Sequence, residues 1–216
     1  MKSEIEIISL DLDGVLYDGL YAAVAVGQEL GLGSKFDDLF RRIAAEKMNH
    51  HESIIEGSKV WIGIPVDGPY QELIDSIPLM KGAKETVALL KKTGFEVGCI
   101  SSGVSQFFMK PFSKRLHLDF AYSNILGETD GKHDGTTQYV MGGPQKAETI
   151  LKHVEDRGLS QSNIASVGNG TNDIELFTVS ALSIAFNPLH VSVSDTASVT
   201  VESKDLRSIL PYFEKS

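Results

Sequence analysis

Two aspartates end the first apolar run of the chain. The stretch ISLDLDGVLYDG places Asp11 and Asp13 two residues apart, directly before Gly14. Because alternate residues of a strand point the same way, continued extended backbone would hold both carboxylates on one side. Such a pair repels unless a metal ion, a cationic side chain or a shared proton relieves it. A solvated acidic turn has the same pattern, so chemistry is indicated only if a cationic partner is found.

Three further polar groups stand at predicted strand ends or helix starts. Ser101, Ser102 and Gly103 follow a strand and place hydroxyls and free backbone N–H groups at a helix start, which suits an anion. Lys146 stands near a helix start, where the helix dipole disfavours a cation, although an isolated lysine is normally solvated. Asp173 ends the run GNGTND and could alone be a helix-capping acid.

Strands and helices alternate from residue 78 onwards. The predicted strands are IEIISL, FEVGCIS, DFAYSNIL, NIASVG, LSIAF and an edge strand ASVTVE, with a hairpin at GETDGKHDGTTQYVM and a closing helix KDLRSILPYF. This alternation predicts an α/β fold with a doubly wound, parallel, Rossmann-like sheet covered on both faces. Ligands bind such sheets at the carboxyl ends of the strands, so the four polar groups are expected to meet there.

A helical block separates the first strand from the others. Ser34 is expected to cap the helix KFDDLFRRIAAEKM, and HESIIEGSKVWIGI and YQELIDSI are predicted as further helices. The three residues HHE within this block could imitate a metal cluster, but neighbours on a helix do not face one site, which favours a loop or helix cap. We therefore predict a core domain of residues 1–17 and 77–216 and a small helical cap domain of residues 18–76.

Composition excludes several classes of function. The 216 residues carry a net charge of −9 and no basic block, which disfavours a nucleic-acid partner. Cys99 is the only cysteine, so neither a disulfide nor a cysteine zinc site can form within the chain. The amino terminus lacks a secretion signal and no apolar run approaches the roughly 20 residues of a membrane span. We expect a soluble cytoplasmic protein without a membrane partner, and the oligomeric state stays open.

The motifs together resemble the haloacid dehalogenase (HAD) superfamily, and specifically its phosphoserine phosphatase-like branch. The resemblance rests on DLDG, SIPLMKGAKETV, ISSG, GPQKAETIL, VGNGTNDIELF and the tail IAFNP…KDLRSIL, in this order. It implies a HAD core and a Mg²⁺-dependent phosphomonoester hydrolase that acts on a small phosphorylated metabolite through an aspartyl-phosphate. The alternative is a paralogue with impaired metal binding that serves as a non-enzymatic phosphate-ligand sensor or scaffold.

The resemblance assigns catalytic roles to three residues. Asp11 matches the nucleophile that attacks phosphorus. Asp13 matches the general acid and base that protonates the leaving alcohol and then activates water. Lys146 matches the lysine that balances the charges of the nucleophile and the phosphoryl group.

Phosphate binding is assigned to the turn after the second predicted strand and again to Lys146. Ser101 matches the hydroxyl that hydrogen-bonds the phosphate. A one-residue shift makes Ser102 an almost equally good match, and Gly103 completes the turn. The two serines therefore stay alternatives.

The predicted metal site departs from the family pattern. Magnesium in the family is held by the carboxylate of Asp11, the backbone carbonyl of Asp13 and a further acid, in whose place this chain has Asn169. Asparagine offers a carbonyl oxygen, which hard cations accept, but no charge. Asp173 could take over the role of the missing acid, directly or through a water molecule.

The predicted cap also departs from the family pattern. Leu20 stands where phosphoserine phosphatases have a glutamate, and the cap's only arginines, Arg41 and Arg42, have the wrong spacing and are expected on a solvated helix face. Phosphoserine is therefore disfavoured as the substrate. Leu20, Tyr21 and Val24 indicate either a less charged substrate or packing between cap and core.

Overall fold

A single seven-stranded sheet forms the centre of the molecule, in the order β4-β3-β2-β1-β5-β6-β7. The computed structural model describes residues 5–213. All neighbouring strands are parallel except β3 and β4, which form an antiparallel hairpin. The strands are β1 Ile7–Leu10, β2 Glu96–Ser105, β3 Phe120–Thr129, β4 Lys132–Tyr139, β5 Ile164–Gly168, β6 Leu182–Phe186 and β7 Val199–Val201.

Helices cover both faces of this sheet, which confirms the predicted α/β class and the hairpin. They are α1 Ala22–Glu29, α2 Gly33–Glu46, α3 His50–Ser58, α4 Gln71–Ser76, α5 Ala83–Lys92, α6 Gln106–Leu116, α7 Gly143–Glu155, α8 Ile174–Thr178 and α9 Val191–Thr196. Within residues 5–213, no helix is long and apolar enough to cross a membrane.

The strand order reverses at β1. The chain runs from β1 to β2 on one side and returns to β5 on the other, so β1 is flanked by parallel strands on both sides. All four residues of β1 are buried, which explains its apolar composition, Ser9 aside. Crevices at such a reversal, outside the carboxyl ends of the strands, bind ligands in open α/β sheets.

The helical insertion, as we name residues 18–76, carries α1 to α4 and, among the described residues, no strand of the sheet. It is nevertheless attached to β4 through backbone hydrogen bonds. Gly63 N–H donates to the His133 carbonyl, His133 N–H donates to Ile64, and Val66 N–H donates to Gly131, each at 2.9 Å. Whether the insertion is a separate domain stays a prediction, and the predicted core boundaries at 1 and 216 lie outside the described residues.

Several helices begin or end at residues other than the predicted ones. Helix α2 begins at Gly33, after Leu32 as its capping residue, so Ser34 lies inside the first turn and does not cap it. Helix α3 is capped by Asn49, whose side chain and that of Glu52 form a reciprocal capping box. It ends at Ser58 and tightens into a 3₁₀ turn over Lys59–Trp61. The HHE residues form the first turn of α3, so they are neither a loop nor the capping residue, although Glu52 takes part in the capping box.

The carboxyl-terminal part also differs from the prediction. The closing segment Leu206–Phe213 is a 3₁₀ helix with Pro211 inside it, where proline removes one backbone donor. The helix expected over NDIELFTVS is split into a 3₁₀ turn, Thr171–Asp173, and the short α8. Helix α9 had no counterpart in the sequence analysis.

Candidate active site

The turn after β1 brings the first two acids to the reversal of the sheet. Asp11 follows β1 directly, and its N–H donates to the Val167 carbonyl of β5 at 2.9 Å. Gly14 then turns the chain with φ +76°, a conformation that favours glycine. A Cβ at Gly14 would overlap the side-chain nitrogen of Asn169, so glycine is also required for the close approach of the loop after β5.

A buried ion triad connects three elements at this edge. The Nζ of Lys146, in the first turn of α7, lies 2.8 Å from Oδ1 of Asp11 and 2.7 Å from Oδ1 of Asp173. Lys146 and Asp173 are fully buried and Asp11 is 4% exposed. A lysine at the positive end of a helix dipole is thus held in place by two carboxylates. The predicted contact between Lys146 and Asp11 is present.

Asp173 occupies a supporting position and does not face the cavity. Its Oδ2 accepts hydrogen bonds from the N–H groups of Asn169 (2.9 Å) and Gly170 (3.0 Å), while Oδ1 binds Lys146. Both oxygens are therefore engaged. The carboxylate fixes the loop after β5 and the ammonium of Lys146, and the predicted role of Asp173 at the metal, directly or through a water molecule, stays a prediction.

Asp13 connects the core to the helical insertion. Its Oδ1 accepts a hydrogen bond from the N–H of Ala22, the first residue of α1, at 2.7 Å. Its Oδ2 lies so close to Gly103 that a Cβ there would overlap it. Gly103 is thus required because β2 and the acid approach each other closely.

Burial dominates the acidity of both aspartates. Burial, followed by the charge of Asp173, raises the pKa of Asp11 to about 6, although Lys146 opposes this change. Burial raises the pKa of Asp13 to about 7, against the hydrogen bond from Ala22. Burial alone would lower the pKa of Lys146, but the charges of Asp11 and Asp173 outweigh it and raise that pKa. The lysine is therefore a permanent cation.

The two candidate phosphate-binding serines differ in their surroundings. Ser101 Oγ is fully buried and accepts a hydrogen bond from the N–H of Gly103 at 3.1 Å, which leaves its own O–H free to donate. Ser102 lines the cavity together with Gly103. Within residues 5–213, the buried Ser102 hydroxyl has no hydrogen-bond partner. Ser102 therefore has a free hydroxyl at the cavity, whereas Ser101 lies behind it and is not among the residues that line the cavity.

These groups surround an open space of about 390 Å³, named here the polar cavity. Asp11, Asp13, Ser102, Gly103 and Asn169 lie in its wall, which brings together the predicted residues of three strand ends. The sequence analysis missed other wall residues, among them His50, Thr171, Glu175 and Leu189. Leu189 could have been found, because it follows β6 and so lies beyond another strand's carboxyl end.

The donor set of the polar cavity fits a magnesium ion. Within the described residues, no group of three or more histidine, cysteine or acidic side chains is placed to hold a metal ion, so a site here would also need amide, backbone, water or substrate oxygens. Asp11, Asp13 and the amide of Asn169 nevertheless line the same cavity, which places two carboxylates and an amide oxygen where a cation could contact them. Mg²⁺ is commonly held by one or two carboxylates together with water and substrate phosphate oxygens.

Comparison with known proteins gives a consistent result. The model of the family described as haloacid dehalogenase-like hydrolase matches residues 5–178. The chain is 26% identical over 215 residues to a phosphoserine phosphatase of Methanocaldococcus jannaschii, covering 99% of this chain and all of that protein. It is 28% identical to a phosphoserine phosphatase of Archaeoglobus fulgidus, over 94% of this chain and 58% of that protein.

Solved structures agree with the sequence comparisons. A phosphoserine phosphatase determined as a phospho-aspartyl intermediate analogue superimposes with a TM-score of 0.79 at 26% identity, covering 97% of this chain and 99% of that one. A HAD family hydrolase from Salmonella enterica reaches a TM-score of 0.84 at 20% identity, over 100% of this chain and 73% of that one, which shows a shared fold.

Proposed function

Because the chain belongs to the haloacid dehalogenase-like hydrolase family and is a phosphatase of its phosphoserine phosphatase-like branch, we propose that it is a Mg²⁺-dependent phosphomonoester hydrolase acting through an aspartyl-phosphate. Its substrate is a small phosphorylated metabolite, and its location is the cytoplasm. The observation that carries the proposed mechanism is the buried contact of Lys146 with Asp11 and Asp173. It places a fixed positive charge beside a carboxylate at the edge of the sheet.

Asp11 is the nucleophile in this mechanism. One of its carboxylate oxygens forms a bond to phosphorus as the bond between phosphorus and the ester oxygen breaks. Lys146 favours the ionised form of Asp11 and offsets the charge of the incoming phosphoryl group. Phosphoryl transfer needs chiefly such positioning and charge neutralisation.

Asp13 carries the proton in both half-reactions. With a pKa of about 7, it holds a proton in a substantial fraction of molecules near neutral pH and can give it to the leaving alkoxide. The resulting carboxylate then takes a proton from the water molecule that attacks the aspartyl-phosphate. This releases inorganic phosphate, restores the carboxylate of Asp11 and returns Asp13 to its protonated form.

The residues proposed to hold magnesium are Asp11, Asp13, through its backbone carbonyl, and Asn169. When bound, the ion supplies positive charge that offsets the charge of the phosphate oxygens. Asn169 contributes no charge, so the metal affinity should be lower than with an acid at this position. The non-enzymatic alternative is not favoured, because Asp11, Asp13 and Lys146 are all present and close together.

Phosphate release from phenyl phosphate, a phosphomonoester, with and without Mg²⁺, tests the proposed function. We expect hydrolysis that needs Mg²⁺ and is lost in Asp11→Asn. The matched control is Asp18→Asn, which changes an exposed aspartate of the same loop and should hydrolyse at the wild-type rate. Mass spectrometry of the wild type should find a phosphate on the peptide with Asp11 that hydroxylamine removes. Unchanged turnover in Asp11→Asn would refute the mechanism.

A further inference from the structure

We propose that the group esterified to the substrate's phosphate is uncharged and apolar, about the size of one aromatic ring, and that it binds in a second cavity next to the polar one. This inference deepens the proposed function and rests on it. It names the substrate class, which the motifs of the core leave undefined.

The second cavity, named here the apolar chamber, encloses about 190 Å³ between the helical insertion and the start of α6. Its wall is mainly aromatic and aliphatic and includes Phe36, Phe40, Ile54, Trp61, Phe107 and Leu126. The rings pack against one another: Phe36 and Trp61 lie 5.5 Å apart between centroids, and Trp61 and Phe107 lie 4.8 Å apart. Such a wall binds a further ring through apolar burial and ring-to-ring contacts.

The apolar chamber adjoins the polar cavity. Four residues line both spaces: Tyr21, His50, Ser102 and Gly103. A phosphomonoester whose phosphate lies against Ser102 and Gly103, in the last residues of β2, therefore has the chamber within reach of its organic part. Ligand sites commonly combine a mainly apolar wall with a few polar groups that fix orientation, which is the division seen here.

Among the described residues, the chamber offers no oppositely charged side chain to a charged leaving group. Within the described part of the chain, its wall contains no aspartate, glutamate, lysine or arginine. His50 is an exposed residue, and partial burial of its ring, followed by the charge of Lys146, lowers its pKa and so disfavours its charged form. An amino acid's ammonium and carboxylate would thus be buried without compensation, which is costly.

The insertion's arginines are engaged elsewhere. Arg41 contacts Asp38, and Arg42 contacts Glu46 and Glu56. Both arginine side chains are at least half exposed, and neither lines the chamber. The arginines therefore cannot bind a substrate carboxylate inside it, which leaves apolar burial as the source of recognition.

The volume of the chamber sets the size of the group. An engineered apolar cavity of about 150 Å³ holds a benzene molecule. A space of about 190 Å³ accordingly accommodates one ring with a short linker. Gly57 lies in the chamber wall, where it has no side chain to occupy the space. A Cβ there would meet only Leu39, at an ordinary contact distance of 3.7 Å.

Three substrates test the inference: 2-phenylethyl phosphate, O-phosphoserine, and acetyl phosphate as a small reference that leaves the chamber empty. We expect kcat/KM for 2-phenylethyl phosphate to exceed that for O-phosphoserine at least tenfold. A preference for O-phosphoserine would overturn the inference and leave the proposed function standing. Absence of Mg²⁺-dependent hydrolysis of all three would overturn both.

A variant with a larger side chain in the chamber wall tests whether the preference for 2-phenylethyl phosphate depends on the chamber. Gly57→Leu adds four carbon atoms and should lower kcat/KM for 2-phenylethyl phosphate at least tenfold, with the rate on acetyl phosphate unchanged. The matched control is Gly33→Leu, at a glycine of α2 outside the chamber, where a Cβ meets only Gln28 at 3.8 Å. An equal loss in both variants, or none in Gly57→Leu, would count against the chamber.

Binding can also be followed without catalysis. Trp61 is the only tryptophan of the chain and lies in the chamber wall. Titration with 2-phenylethanol, which has no phosphate, should change tryptophan fluorescence in a saturable way in the wild type and in Gly33→Leu. The change should be lost in Gly57→Leu. A wild-type signal that does not respond would refute binding in the chamber.

Discussion

Replacing Lys146 by methionine removes a buried charge and keeps a side chain of similar length. In the wild type the ammonium is fully buried and contacts two carboxylates at 2.8 and 2.7 Å. The variant leaves Asp11 and Asp173 buried beside each other without a cation. We expect a large loss of folding stability in addition to the loss of hydrolysis.

The size of the expected loss of folding stability follows from these contacts. At an effective dielectric constant near 20, each pair at this distance attracts with about 6 kcal/mol. The cost of burying an ammonium group is several kcal/mol and offsets much of this sum, and a stranded carboxylate can take up a proton. Removing one partner of a buried ion pair therefore costs about 3–5 kcal/mol. A surface pair costs only about 0–1 kcal/mol.

Urea denaturation without Mg²⁺ measures this loss. Lys110→Met is the control, because Lys110 and Asp67 form a pair at 2.8 Å with 66% and 80% exposed side chains. The loss in Lys146→Met should grow between pH 5 and pH 8. Stranded carboxylates have raised folded pKa values, so the native state holds more protons than the unfolded state and loses stability as pH rises. Adding Asp173→Asn should recover part of the loss.

Two results would refute this account of the triad. One is an unfolding free energy of Lys146→Met within about 1 kcal/mol of the wild type, which would place the pair in the range of surface contacts. The other is a loss that shrinks as pH rises, because that sign requires carboxylates whose pKa values fall on folding.

Three further predictions concern the polar cavity. Asn169→Asp should raise the affinity for Mg²⁺ by about tenfold or more, measured as the Mg²⁺ dependence of phosphate release. A wild type that is already saturated at micromolar Mg²⁺, with no gain in the variant, would contradict the role given to Asn169. Gly103→Ala should lower hydrolysis by about 100-fold, because its Cβ overlaps Asp13, and Gly33→Ala, where a Cβ meets only Gln28 at 3.8 Å, serves as the control. The rate of hydrolysis of an alkyl phosphate should fall above about pH 7, because Asp13 loses its proton there. The rate of cleavage of acetyl phosphate should not fall, because its leaving group needs no acid. Parallel pH profiles for the two substrates would exclude Asp13 as the general acid.

The positions of the site residues could be predicted because strand ends are readable in sequence. Asp11, Ser102 and Asn169 each follow an apolar run, and parallel strands bring such positions to one edge. The contact between Lys146 and Asp11 was expected from the resemblance to the family, in which the matching lysine balances the charge of the nucleophile. The position of Asp173 could not be predicted, because its carboxylate is directed by two backbone N–H groups in a 3₁₀ turn whose geometry the sequence does not reveal.

The fold was predictable in its class and less so in its details. Helix α2 shows why, since Ser34 is a better capping residue than Leu32, yet the helix begins at Gly33, two residues before the predicted start. Buried Leu32 and Phe36 pack in the main hydrophobic cluster, and this packing outweighs the local preference. The apolar chamber could not be predicted from the sequence either, because its wall joins residues of α2, α3 and α6 that are distant in sequence.

The bonds between the helical insertion and β4 restrict how the two cavities can exchange their contents with solvent. Three backbone hydrogen bonds join residues 63–66 to the hairpin, and Ser58 Oγ donates to the Gly135 carbonyl at 2.7 Å. Each contributes about 0.5–1.5 kcal/mol, so lifting the whole insertion off the sheet would forfeit several kcal/mol in addition to apolar contacts. Separating α1 and the first turn of α2 from the sheet and from residues 58–66 would instead cost the bond from Ala22 to Asp13 and the bond from the Lys35 ammonium to the Val60 carbonyl. The first of these bonds is strongest when Asp13 is ionised, so the contact between α1 and the core depends on the charge of Asp13.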